Sequence, residues 1–427
     1  MKKNVCMFVW NHFTNDARVL RECTTLSNNG FNVDLICIDD PQDKSIRKHE
    51  VRSENFQVFR VRRYPLVYTL LQDVLILTKK NKWLFGVYAI IWGFFLYYMF
   101  IPTLIVSFLF LILYQSTVRK TVIKANIILR MIVKGRMKKY DIFHSNDLNT
   151  LPQGYICAKW RLKKRSLVYD SHEVQTSRTG YNSSIYGIIE KVLIKRIDTM
   201  IVENHTRAKF NKELYGFYPN VLHNYPFLGI SKEQEQIDLH QLLNLPPKEK
   251  IFLYQGGIQI GRGLEKIICA APLVKEGIFV FIGDGNQKEE LIKLVKEKKL
   301  GDRVKFLSKV PLKDLPKYTN NAYLGFQVLN NICFNHWSAS SNKLFEYMMA
   351  RVPVIACSFP EIQKVVTENN VGICVDSHNY MEIAEGINEL VWNKEKRDQM
   401  SKNCVQAQEK YNWENEEEIL INLYKHL

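Results

Sequence analysis

One recurring unit constrains this chain more than anything else in it: a short apolar run that ends in polar residues and leads into an amphipathic segment. VCMFVW (5–10) gives way to the polar NHFTNDAR, then to ARVLRECTTLSNNG at helical spacing closed by Gly30, then to FNVDLICI. Strand, loop, helix, strand is a β-α-β unit, the signature of a parallel α/β sheet. The pattern returns at YDIFHSND, SLVYDSHE and TMIVEN. After VLHNYPF (221–227) a second series follows: IFLYQGG, GIFVFIGDG, RVKFLSKVP, AYLGFQVL, VPVIACS and VGICVD. The expectation is two Rossmann-like domains facing across a cleft, over 1–222 and 223–405. A closing helix is expected over 406–427, where Trp413, Ile419, Leu420 and Tyr424 recur near helical spacing.

With 427 residues, the chain is long enough for two sizeable cores. A formal charge of +16 favours anionic partners. Nucleic acid is not expected among them, because the basic residues gather beside an apolar stretch and lack the aromatic interleaving of an RNA-binding sheet. The nine cysteines are scattered without metal-ligand spacing, which suits a reducing cytosol and excludes a disulfide framework. The N-terminus runs straight into a strand, so no signal peptide is expected.

From Trp83 to Val118 there is no charged residue. About 20 apolar residues suffice for one membrane span. A single crossing would, however, put strands of one sheet on opposite sides of the bilayer. Lys79, Lys80 and Lys82 precede the stretch, while Arg119, Lys120, Lys124 and Arg130 are among the basic residues that follow it, so both flanks read as cytoplasmic. The expectation is an apolar helical insertion in the N-terminal domain, about 83–118, attached to the membrane. It either re-enters as a hairpin turning near Pro102 or lies in the interface, with Trp83, Trp92, Tyr97, Tyr98 and Tyr114 suited to headgroup level.

Ligands of open α/β sheets bind outside the carboxyl ends of the strands. In the N-terminal half that rim offers Asp16, Asn146, Asp147, His172 and Glu173, with Asp16 also a candidate helix cap. In the C-terminal half, IFLYQGGIQIGRGLEKII places Gly256-Gly257 after a strand and Arg262 just before a helix. Such glycines let backbone N–H groups approach a diphosphate, and Arg262 offers bidentate contacts to phosphate oxygens. FVFIGDGNQKEEL repeats the form at Gly283. SASSNKLFEYMMARVPVIA (338–356) predicts a helix capped near Ser341 and ended by Val352-Pro353, with Asn342 and Glu346 on one face. Lys343 is a second candidate cation for phosphate, or an ion-pair partner of Glu346 at i,i+3. Glu346 is suited to a ribose diol. Walker, GxSxG, HExxH and kinase motifs are missing from the sequence.

In this order, NDARVLRECTTLSNNGFNV, DIFHSNDLNTLP, YDSHE, YQGGIQIGRGLEKI, FIGDGN and SNKLFEYMMARVPVIA resemble the family-4 glycosyltransferases. These bacterial GT-B enzymes move a sugar from a nucleotide-sugar with retention. The resemblance implies a donor site of Gly256, Gly257, Arg262, Gly283, Asn342, Lys343 and Glu346. Glu346 matches the second glutamate of the family's E-x7-E motif, which holds the donor ribose, and Arg262 takes the place of the basic residue on the diphosphate. The first glutamate falls at Ser338, and Asn146 stands where many relatives have histidine. Front-face substitution is therefore expected, with Arg262 and Lys343 stabilising the leaving diphosphate and Asp147 and His172 on the acceptor side. Neither a metal nor a cofactor is expected. The implied partners are a nucleotide-sugar, a lipid-linked or membrane-proximal saccharide and an anionic membrane surface on the cytoplasmic side.

Overall fold

The computed structural model describes residues 2–43, 45–175, 184–228 and 237–427. By packing the chain forms two compact units, residues 1–14 with 26–169, and residues 15–25 with 170–427.

In the first unit, strands β1 (Asn4–Phe8), β2 (Asn32–Ile38), β3 (His49–Ser53), β4 (Phe56–Val61), β5 (Ile142–Asn146) and β6 (Ser166–Ser171) lie in the order β3-β4-β2-β1-β5-β6. The last two residues of β6 belong to the second unit. β1 pairs in parallel with β2 and β5, Val5 lying opposite Val33 on one side and Ile142 on the other. β3 runs antiparallel to β4. It is a short, mostly exposed strand, HEVRS, and its weak apolar signal hid this hairpin from the sequence reading.

Between β4 and β5 lie four helices, Leu66–Lys80, Lys82–Tyr98, Phe100–Tyr114 and Ser116–Arg136. The last is fixed to the core through Ile127, Met131 and Gly135. A Cβ on Gly135 would come within 2.8 Å of the Phe8 ring, so only glycine lets helix and strand approach this closely. The two middle helices are apolar and largely exposed. They break at Met99, not at Pro102, which falls in the first turn of the second helix. There a proline fits, because the first N–H groups of a helix have no intrahelical partner. Among the described residues no helix is long and apolar enough to cross a membrane.

The second unit holds β7 (Thr199–Val202) paired with β8 (Asn220–Val221), and a six-stranded parallel sheet. Its strands β9 (Ile251–Gln255), β10 (Ile278–Ile282), β11 (Val304–Leu307), β12 (Leu324–Gln327), β13 (Val354–Cys357) and β14 (Gly372–Val375) run in the order β11-β10-β9-β12-β13-β14. Each matches an apolar run of the sequence. Successive residues point to opposite faces. Phe252, Tyr254, Phe279 and Phe281 join one core, and Ile251, Leu253, Ile278 and Val280 the other. Burial on both faces explains why these strands are continuously apolar. The final helix, Trp413–His426, buries Trp413, Leu420 and Tyr424, whereas Ile419 is 42% exposed.

Candidate functional site

The donor-side residues converge in the second unit. β9 runs into Gly256, whose φ of 127° is closed to most side chains. A Cβ there would lie 2.6 Å from Lys343 Cε, so the lysine lies against bare backbone. Gly283 has a different reason. Its Cβ would fall 1.9 Å from the Gly256 carbonyl oxygen, so the glycine lets the two strand-end loops touch. The Gly256 N–H donates to the Ile282 carbonyl (2.9 Å), and the Tyr254 hydroxyl donates to the Gly257 carbonyl (2.8 Å).

The helix that supplies Asn342, Lys343 and Glu346 spans Asn342–Met349. Its start falls where expected, with Ser341 at the N-cap, and its end falls earlier than expected. Ser341 is the N-cap residue, but its hydroxyl does not cap the helix; it donates to Gln327 Oε1 at 2.8 Å. The helix ends at Met349, before Val352-Pro353, because Arg351 turns left-handed at φ 59° and the Val352 N–H returns to the Tyr347 carbonyl. The alternative reading of Lys343, an ion pair with Glu346, is not found among the described residues. Glu346 Oε2 instead accepts from Gln255 Nε2 at 2.7 Å, and Gln255 Oε1 accepts from the Thr319 hydroxyl at 2.7 Å. Gln255 and Thr319 are fully buried, so the amide has one orientation and it aims the carboxylate.

Lys343 and Arg262 make no ion pair among the described residues, and both are half-buried. Lys343 Nζ lies 5.6 Å from the Tyr254 ring centroid. Burial pushes the Lys343 ammonium down to about 7; repulsion from Arg262 adds to this and Glu346 opposes it. Arg262 Nε and Asn342 Oδ1 are buried atoms without a hydrogen-bond partner among the described residues. Unpaired buried polar atoms beside two mutually repelling cations are costly to the folded chain alone. An anion with several acceptor oxygens would relieve both terms.

Arg21 is a functional candidate that the sequence reading missed. Burial pushes its guanidinium down to about 10, and the strongest opposing influence is Glu346. It lies 5.6 Å from the Trp413 ring centroid and hydrogen-bonds the Asn224 side chain. No motif marks it, because Arg21 and Glu346 come from opposite ends of the sequence.

A second charged cluster in this unit surrounds Asp170. Arg18 Nε and Nη2 reach its two oxygens at 2.9 Å each, and Arg18 Nη1 donates to the Leu222 carbonyl at 2.9 Å. Glu22 Oε1 lies 3.1 Å from Arg18 Nε, and His172 Nε2 lies 3.1 Å from Asp170 Oδ2. Burial first, and Asp170 second, push the Glu22 carboxyl up to about 8. Asp16 caps the helix Ala17–Asn28, its Oδ1 accepting from the Val19 N–H at 3.2 Å. The Glu173 carbonyl accepts from the Ser171 hydroxyl at 3.0 Å.

Ser338, where the first motif glutamate is replaced, is fully buried. Its hydroxyl donates to the Phe334 carbonyl (2.8 Å) and accepts from Arg207 Nε (3.3 Å), and Arg207 pairs with Glu203. Asn146 and Asp147 belong to the first unit. Asn146 Nδ2 donates to the Phe8 carbonyl at 2.9 Å, and Asp147 follows β5 with a φ of 60°.

Residues 235–406 match the family model of glycosyl transferases group 1. The matched segment contains every donor-side residue described above. The D-inositol 3-phosphate glycosyltransferase of Nocardioides sp. is 22% identical over 258 residues, 55% of this chain and 55% of that protein. This chain spans about half the length of the curated relatives it matches. Among solved structures, sucrose-phosphate synthase from Thermosynechococcus elongatus superposes with a TM-score of 0.74 at 16% identity, covering 100% of this chain and 99% of that one. Anabaena Alr3699/HepE in complex with UDP-glucose superposes with a TM-score of 0.70 at 14% identity, covering 99% and 100%. These likenesses show the fold: two α/β domains with parallel sheets, GT-B-like.

Proposed function

We propose that the chain is a nucleotide-sugar-dependent glycosyltransferase of the retaining family 4 that extends a lipid-linked saccharide at the cytoplasmic face of a membrane, in surface polysaccharide assembly. The observation that carries the donor half of this reading is the pair Arg262 and Lys343, two cations that make no ion pair among the described residues, near a glutamate aimed by Gln255. A diphosphate supplies the missing negative charge, and a ribose diol suits the oriented Glu346 carboxylate. The group 1 match over 235–406 supports the same reading.

In the reaction the bond from the anomeric carbon to the diphosphate oxygen breaks, and the acceptor hydroxyl oxygen bonds to that carbon on the same face. The departing diphosphate takes the hydroxyl proton while Arg262 and Lys343 stabilise its growing charge. Asp147 and His172 are the acceptor-side groups in this account. Ser338 carries no carboxylate and is held by Arg207, which supports front-face substitution over a covalent intermediate.

The test is transfer of labelled sugar from a panel of nucleotide-sugars to a polyprenyl-diphosphate saccharide, with the product's anomeric configuration read by NMR. Retention, and loss of at least about 100-fold in kcat/KM for Arg262→Ala (about 2.7 kcal/mol), is expected. Inverted product, or full activity in that variant, contradicts the reading. No transfer with any donor supports a non-catalytic, transferase-like partner instead.

A further inference from the structure

The membrane half of that reading leaves open how the apolar arm meets the bilayer. Resting on that reading, we infer that Lys82–Tyr98 and Phe100–Tyr114 form a re-entrant hairpin. Its Met99 tip dips into the hydrocarbon of an anionic membrane, and the chain returns to the side from which it entered.

The pairing is antiparallel. Trp92 Nε1 donates to Ser107 Oγ at 3.1 Å, and the Thr103 hydroxyl donates to the Phe95 carbonyl at 3.0 Å. Met99, with φ −134° and ψ 56°, breaks the helix at the tip, enclosed by both of these contacts. At 1.5 Å per residue the 17- and 15-residue helices are about 25 and 22 Å long. Both are shorter than a hydrocarbon core of about 30 Å.

The polar groups are arranged for lipid. Ser107 Oγ donates onward to the Thr103 carbonyl at 2.7 Å, and Thr103 is only 6% exposed. The Trp92, Thr103 and Ser107 polar groups are therefore satisfied within the hairpin, by one another or by its backbone carbonyls, as hydrocarbon requires and water does not. Outside, Phe94, Phe100, Ile101, Ile105 and Phe108 are exposed. A helix lying flat in the interface needs a charged face towards water. Lys82, the first residue at the entry end, is the one charged residue in the two helices, so neither has a charged face.

The ends complete the fit. Antiparallel pairing brings the exposed Lys79 and Lys80 and the exposed Lys120 and Lys124 to the same, open end, where anionic headgroups lie. Tyr97 and Tyr98, beside the tip, are 82% and 67% exposed. A hairpin of about 25 Å carries their hydroxyls towards the far edge of the core, where aromatic hydroxyls find water. Trp83 is left near the entry and Trp92 near the middle.

The experiment is tryptophan quenching in phosphatidylglycerol–phosphatidylcholine vesicles. The acyl chains are brominated either near the glycerol end or near the methyl end, and vesicle flotation is run in parallel. Wild type is compared with Trp83→Phe and Trp92→Phe, so that each difference isolates one indole. The hairpin predicts loss of Trp92 emission with deep bromines and of Trp83 emission with shallow ones. If both indoles are lost to shallow bromines in floated protein, the helices lie flat: the hairpin is overturned and membrane attachment stands. If wild type neither floats nor is quenched, membrane attachment itself falls. Should sedimentation then show a dimer, a second copy of this chain covers the arm.

Discussion

Gln255 Nε2 donates to Glu346 Oε2 at 2.7 Å, joining the end of β9 to the helix that begins at Asn342. The amide is pinned from behind by Thr319, so the carboxylate keeps one orientation before any ligand arrives.

Gln255→Leu removes that bond while the Thr319 hydroxyl keeps the Leu315 carbonyl at 2.9 Å. Stability is expected to fall by about 1–3 kcal/mol. Nucleotide affinity is expected to fall about tenfold, or about 1.4 kcal/mol. Denaturant unfolding and titration calorimetry measure the two separately; unchanged affinity would show that Glu346 is not aimed by Gln255.

The two loop glycines should separate structure from binding. Gly283→Ala meets backbone, the Gly256 carbonyl, and loses strain and packing together. Gly256→Ala meets the flexible end of Lys343, which can move. Backbone strain costs about 1–3 kcal/mol at such positions. Gly283→Ala is therefore expected to lower Tm more, and Gly256→Ala to weaken nucleotide binding more for each degree of Tm lost.

Glu22 makes a pH prediction. Its folded carboxyl titrates at about 8 against an ordinary 4.5, because of burial and then Asp170. The folded state keeps a proton that the unfolded chain releases, so this contribution is complete below about 4.5 and is lost as pH rises through about 8. Glu22→Gln mimics the protonated form permanently. Relative to wild type its Tm is expected to rise from pH 5 to pH 8; a constant difference across that range contradicts the assignment.

The sheet of the second unit was legible in the sequence because burial on both faces leaves a plain apolar signature. So were the places of Arg262, in a glycine-rich loop, and of Lys343 and Glu346, on a helix with a serine at its N-cap. Gln255 with Thr319, Arg21 with Glu346 and Arg18 with Asp170 were not. Each pair joins residues far apart in sequence, at least 64 positions in the first case, and only the folded sheet brings them together. Ser341 takes the N-cap position as the sequence suggests, but its hydroxyl is turned to donate to Gln327 Oε1, a partner 14 residues away that local sequence does not reveal.

Lys343 provides the most direct measurement. Its folded pKa of about 7 lies below the ordinary 10.5, so between these values the unfolded chain holds more protons and the apoprotein gains stability as pH rises. A bound diphosphate favours the charged ammonium and draws a proton back. Calorimetric titration of UDP, GDP and ADP into wild type, Lys343→Met and Glu346→Ala, in buffers of differing ionisation enthalpy at pH 8, tests this. The account predicts one nucleotide that binds wild type with proton uptake, binds Lys343→Met more weakly without uptake, and is lost in Glu346→Ala. Equal binding by all three proteins, or no binding by wild type, would contradict it.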